Sequence, residues 1–122
     1  MRRAIVAVTL AIASHPAWAG GDAQRGKLAY EARCGACHSV DTDRVGPRHA
    51  GIVGRRAGSV PGFAYSDALR NSGLVWNPAL LDRWLTNPEA LVPGQRMGYQ
   101  VADPQVRADI IAYLRTLPPQ RH

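Results

Sequence analysis

CGACH, residues 34–38, holds both cysteines of a 122-residue chain and sets a histidine directly after the second. Two thiols three positions apart with an adjacent imidazole serve three chemistries. They form a redox dithiol, part of a metal site, or a double tether for a prosthetic group. A structural disulfide is a poor fourth reading, because closing so small a loop restrains little of the unfolded chain. The residues on either side have to decide.

Upstream, Asp22 is a good N-cap for a helix over AQRGKLAYEAR, residues 23–33. Gly26 and Tyr30 share one face of it. A glycine costs about 1 kcal/mol in a helix interior, and a close approach by another helix would offset that cost. If the helix runs on through the motif, Cys34, Cys37 and His38 come to one side. No strand precedes the motif, as a thioredoxin-like dithiol requires. A structural zinc needs four ligands. After an N-terminal leader, the chain offers two cysteines and three histidines, His38, His49 and His122, with no second paired motif. C-x-x-C-H is instead the pattern of c-type haem attachment, in which two thiols add to the porphyrin vinyl groups and the imidazole reaches the iron.

Downstream, residues 39–64 carry five glycines and two prolines and show no sustained alternation of apolar and polar residues. No sheet is expected, and the fold class is all-α. A short helix is expected from Ser66 to Gly73. Another starts at Asn77-Pro78 and runs to about Thr86, where Asn87-Pro88 ends it. Asp103-Pro104 opens the last helix, on which Val106, Ile110, Tyr113, Leu114 and Leu117 recur at helical spacing before Pro118-Pro119. The first and last helices should cross, with Gly26 near Tyr113 or Leu114. A long glycine-rich loop in a small domain needs something to pack against, and a large flat apolar ligand suits it.

The N-terminus has a separate logic. Arg2 and Arg3 precede the apolar run AIVAVTLAIA, residues 4–13, and Ala17-Trp18-Ala19 offers small residues around a cleavage point. This is the layout of a secretory signal peptide, residues 1–19, followed by one domain over residues 20–122. The run is shorter than the roughly 20 residues a membrane span needs. The formal net charge is +6, to which the leader's two arginines contribute, and Lys27 is the sole lysine. Export argues against a nucleic-acid partner, and no motif of that class appears. A surface that steers acidic protein partners fits better.

A six-coordinate haem iron needs a second ligand. Met97 is the only methionine after the leader and sits in the loop VPGQRMGY, residues 92–99. A thioether is a soft ligand, and Met/His ligation raises the reduction potential. The competing readings are Met97 as a core filler and His49 or His122 on the iron.

With these features together, the chain resembles class I c-type cytochromes of the short soluble mitochondrial and bacterial kind. The resemblance spans residues 21–117 and rests on CGACH, VGP at 45–47, GIVGRRAG at 51–58, PGFAYSDA at 61–68, NPEALVPGQRM at 87–97 and DIIAYLRTL at 109–117. It implies a small helical cytochrome c fold, with terminal helices crossing and loops wrapped around one haem c bound through Cys34 and Cys37. It implies His38 and Met97 as axial ligands, and electron transfer rather than enzymatic turnover as the activity. Pro47 falls where the family accepts the proton of the ligand histidine. Arg55, Tyr65 and Trp76 fall where relatives bond the haem propionates, and Gly26, Tyr30 and Tyr113 where the helices cross.

There are departures. Trp84 stands where a tyrosine near the methionine sulfur is common, and Leu69 where an asparagine is usual. Gln95 replaces a threonine or serine that bonds a propionate, and His49 is one place earlier than the usual histidine. Arg96 replaces a lysine frequent in relatives. Arginine stays protonated, so the alkaline exchange of methionine for lysine is expected to be absent.

The expected role is a periplasmic, monomeric shuttle that docks on acidic surfaces of redox proteins through arginines among Arg44, Arg48, Arg70, Arg83 and Arg96. The alternatives are a haem enzyme or gas sensor with a displaceable Met97, and a dedicated subunit of an exported dehydrogenase or oxidase.

Overall fold

Asp22 caps the first helix as its chemistry requires, its carboxylate accepting from the Arg25 amide at 2.8 Å. The structure is a computed structural model that describes residues 8, 10, 11 and 20–120. The cleavage point at Ala19, most of the expected leader and His122 lie outside the described residues.

Among the described residues five helices follow one another: α1 (Ala23–Arg33), α2 (Asp67–Arg70), α3 (Pro78–Thr86), α4 (Pro88–Leu91) and α5 (Pro104–Leu114). Each begins at a polar cap whose side chain accepts from the first turn: Asp22, Ser66, Asn77, Asn87 and Asp103. Proline occupies the first turn of α3, α4 and α5, where its missing N–H costs nothing. Two expectations need correction. The helix expected from Ser66 to Gly73 closes at Arg70. Asn87-Pro88 ends α3 but also starts α4, because the Asn87 side chain accepts from Ala90 N at 3.2 Å.

α1 and α5 cross at Gly26. A Cβ there would lie 1.8 Å from the Asp109 carbonyl oxygen and 2.9 Å from Tyr113 Cβ, so only glycine admits the contact. The expected neighbour Tyr113 is present, but the α5 backbone at Asp109 comes nearer. The Asp109 carboxylate ties the crossing. It accepts from Asp22 N at 2.8 Å, from Arg25 Nε at 3.0 Å and from Gln105 Nε2 at 3.0 Å. These bonds, the Arg25 contact foremost, hold its pKa down at about 2.

Residues 39–64 contain no helix. Their one ladder-like contact is an isolated bridge between Arg56 and Val75, with Ala57 N donating to Leu74 O at 2.8 Å and Trp76 N to Arg55 O at 2.9 Å. No β-strand occurs among the described residues. The core gathers Tyr30, Ile52, Trp76, Leu81, Trp84, Leu85, Ile110 and Leu114 from α1, the loops, α3 and α5. The glycine-rich loop therefore lies against the helical frame, and the space left between them is the site.

Candidate functional site

A cavity of about 510 Å³ opens between the frame and the loops. That lies within the usual range for a cofactor pocket, roughly 300–1,000 Å³. Its wall includes Cys34, Cys37, His38, Pro47, Arg55, Tyr65, Trp76, Trp84 and Met97. Cys34 and Met97, 63 positions apart in sequence, thus meet on one surface.

The motif sits at the C-terminal end of α1, but α1 does not run through it. The helix ends at Arg33, Cys34 caps it, and a separate turn follows in which Cys37 N and His38 N both donate to Cys34 O, at 3.0 and 2.8 Å. Arg44 holds that turn from outside. Its guanidinium donates to the carbonyls of Gly35, Ala36 (3.2 Å) and His38 (3.3 Å). Arg44 therefore has a structural task that its place among surface arginines did not reveal.

The tautomer of His38 follows from its partner. Nδ1 lies 2.8 Å from the Pro47 carbonyl oxygen, which can only accept, so Nδ1 carries the proton. Burial lowers the His38 pKa, against the Pro47 bond that raises it, and the neutral ring keeps its lone pair on Nε2. Gly46 makes room for the ring: a Cβ there would fall 2.1 Å from His38 Cε1.

Burial also pushes the Cys34 thiol up to about 11. A redox dithiol depends on a low-pKa thiolate, so this environment disfavours that reading. Among the described residues no cluster of three or more histidines, cysteines or acidic residues could hold a metal ion directly.

Donors line the other side. Arg55 reaches the carbonyls of Ala50 at 2.9 Å and Arg48 at 3.0 Å. Burial lowers its pKa, yet a guanidinium stays charged. The Tyr65 oxygen accepts from Val60 N at 3.1 Å, which leaves its own proton to donate elsewhere. Trp76 and Trp84 pack edge to face at 5.4 Å.

Met97 is half-buried on the cavity wall and packs against the core. Its loop is held by Glu89, whose carboxylate accepts from Gly94 N at 2.9 Å and Gln95 Nε2 at 3.1 Å. Gln95 is thus turned to Glu89, with its Oε1 buried and unpartnered among the described residues. Nothing in the local sequence marked Glu89 for this task.

His49 is placed differently from a ligand on the far face. Its ring stacks on His38, with centroids 4.1 Å apart and planes 21° from parallel, and its Nδ1 lies 2.8 Å from the Tyr30 hydroxyl. A ring against His38 cannot serve as the ligand opposite it. Two thiols, an unprotonated imidazole Nε2 and a thioether on one largely apolar wall form a donor set that fits a covalently held haem.

Comparison with known proteins agrees. The Cytochrome c family model matches residues 23–118. Cytochrome c2 of Rhodomicrobium vannielii is 47% identical over 107 residues, covering 84% of this chain and 85% of that protein. Cytochrome c2 of Rhodopila globiformis is 46% identical over 100 residues, covering 80% and 94%. The solved structure of cytochrome cH from Methylobacterium extorquens superposes with a TM-score of 0.75 at 46% identity, covering 79% of this chain and 99% of that one. The chain belongs to the cytochrome c family, with one haem c bound through Cys34 and Cys37 and electron transfer as its activity.

Proposed function

We propose that this protein is an exported, monomeric shuttle that carries one electron at a time between redox proteins and has no catalytic site of its own. The observation that supports it most is the single cavity where Cys34, Cys37, His38 and Met97 meet. The bound haem supplies a one-electron iron couple. The protein's own residues do the rest. Cys34 and Cys37 would tether the ring, and His38 through Nε2, oriented by Pro47, and Met97 would hold its iron. With His38 and Met97 both holding the iron, no open position would be left for a substrate. Arg55, Tyr65 and Trp76 supply donors for the propionates, whose burial would be costly without them. The apolar wall, with Trp84 in it, limits water near the iron.

Export is read from the N-terminal leader, which places the domain in the periplasm. No helix among the described residues is long and apolar enough to cross a membrane. Docking on acidic partners is carried by the basic surface. Arg48 and Arg70 are ion-paired with Asp43 and Asp67, and Arg44 holds the motif turn. Arg83 and Arg96 are exposed and have no ion pair among the described residues. They are the arginines best suited to steering.

The deciding experiment is the visible spectrum, oxidised and reduced, of protein made in a host that attaches haem. A weak long-wavelength band of methionine-ligated ferric haem is expected. Covalent haem without that band, with tight cyanide or carbon monoxide binding, would instead indicate a haem enzyme or sensor. Stable co-purification with a dehydrogenase or oxidase would replace the free shuttle by a dedicated subunit.

A further inference from the structure

The contacts around His38 are of three kinds. The Pro47 carbonyl holds the Nδ1 edge at 2.8 Å. Gly46 lies over the ring at Cε1, where an added Cβ would stand 2.1 Å from Cε1 and 2.5 Å from both nitrogens. The Pro47 bond alone does not fix the ring plane firmly, since a hydrogen bond to a carbonyl tolerates a broad range of approach directions. A flat face of the ring also meets His49, stacked at 4.1 Å and 21°. At that separation the two flat faces are in van der Waals contact, so tilting His38 toward His49 is sterically opposed.

His49 is itself anchored. Its Nδ1 meets the Tyr30 hydroxyl at 2.8 Å, its backbone N donates to Ser39 O at 3.1 Å, and Tyr30 also packs against its ring at 5.5 Å. Tyr30 in turn lies buried on α1, 5.3 Å from Tyr113 of α5. The line of contacts runs from the helix crossing to the imidazole face. A purely space-filling role at this position would be served by an aliphatic side chain. A polar ring with an anchored edge adds a fixed plane.

We propose that His49 is a positioning residue for His38. Held by the Tyr30 hydroxyl, its ring sets the rotational orientation of the His38 imidazole about its bond to iron. This rests on His38 being an iron ligand. Imidazole orientation controls how unpaired spin spreads over the porphyrin in the ferric state, so haem-methyl proton resonances report it.

The test uses ferric holoprotein. In His49→Leu, which fills the space without a flat face, the haem-methyl resonances are expected to shift and change their spacing while His/Met ligation is kept. His49→Phe restores a flat face and is expected to return the spacing toward that of the wild type. Tyr30→Phe frees the anchored edge and is expected to move the resonances in the same sense, by less. A structural role alone would lower the melting temperature of these variants without moving the resonances. Haem-methyl spacing in His49→Leu that superposes on the wild type would overturn the inference, as would a silent Tyr30→Phe. A wild-type protein without His/Met-ligated haem would overturn the functional reading as well, and its own spectrum reveals that before any variant is made.

Discussion

The crossing of α1 and α5 and the wall of the cavity are built on different terms. At the crossing the buried Asp109 carboxylate is fully partnered, accepting from Asp22, Arg25 and Gln105. At the wall the groups keep capacity for a ligand: a Tyr65 proton, a His38 lone pair, the sulfurs of Cys34 and Cys37 and a thioether. Buried polar groups are ordinarily satisfied, so the wall is complete only with its cofactor. The frame should therefore tolerate loss of site residues that the wall cannot, and the reverse.

The largest expected effect is on the wall. Met97→Ala should abolish the long-wavelength ferric band and open the iron to cyanide, and it should lower the reduction potential. Spectral titration and potentiometry check this. The helical content by circular dichroism should change little, since the crossing does not involve Met97.

Gly26→Val tests the frame. Its branched side chain cannot clear the Asp109 carbonyl at 1.8 Å. A destabilisation of about 3 kcal/mol or more is expected from overpacking against backbone, measured by denaturant unfolding of the holoprotein. A near-neutral result would mean that the helices can slide apart.

Asp109→Asn should cost about 1 kcal/mol, a figure reduced because Arg25 is largely exposed. The folded carboxyl sits at about 2 against an ordinary 3.8. Its contribution is therefore full above about pH 4 and is lost as the pH falls toward 2. Acid unfolding of the variant should be less steep over that window than that of the wild type.

The smallest expected effect concerns Arg96. The oxidised protein should lose methionine ligation in alkali without gaining a lysine ligand, because its sole lysine, Lys27, lies on α1 and faces Glu31 at 4.0 Å. Arg96→Lys should introduce lysine ligation, seen by low-temperature spin resonance. A lysine-ligated alkaline form in the wild type would sink this expectation.

Much of the frame could be read from the chain, because its determinants are local. Asp22, Asn77 and Asp103 cap helices by reaching amides two or three residues ahead. The start of α4 is not legible because Asn87-Pro88 has the form of a stop, while Asn87 serves both as the end of one helix and the cap of the next. The motif CGACH likewise carries its chemistry in its spacing. The continuous helix through it failed because Arg44, six residues past the motif, folds the turn by three carbonyl contacts.

What the sequence determined by itself was which residues can tether a haem, which thioether is available to it, and where helices begin, since short-range sterics and hydrogen bonding decide these. Tertiary structure alone decided that His49 lies face-on to His38 rather than elsewhere in the pocket, that Glu89 grips the methionine loop, and that Asp109 ties the two ends of the chain. Those contacts join residues from 5 to 87 positions apart. No periodicity or spacing encodes them, because they arise only once apolar faces from distant segments have been driven together and the polar groups brought along must find partners.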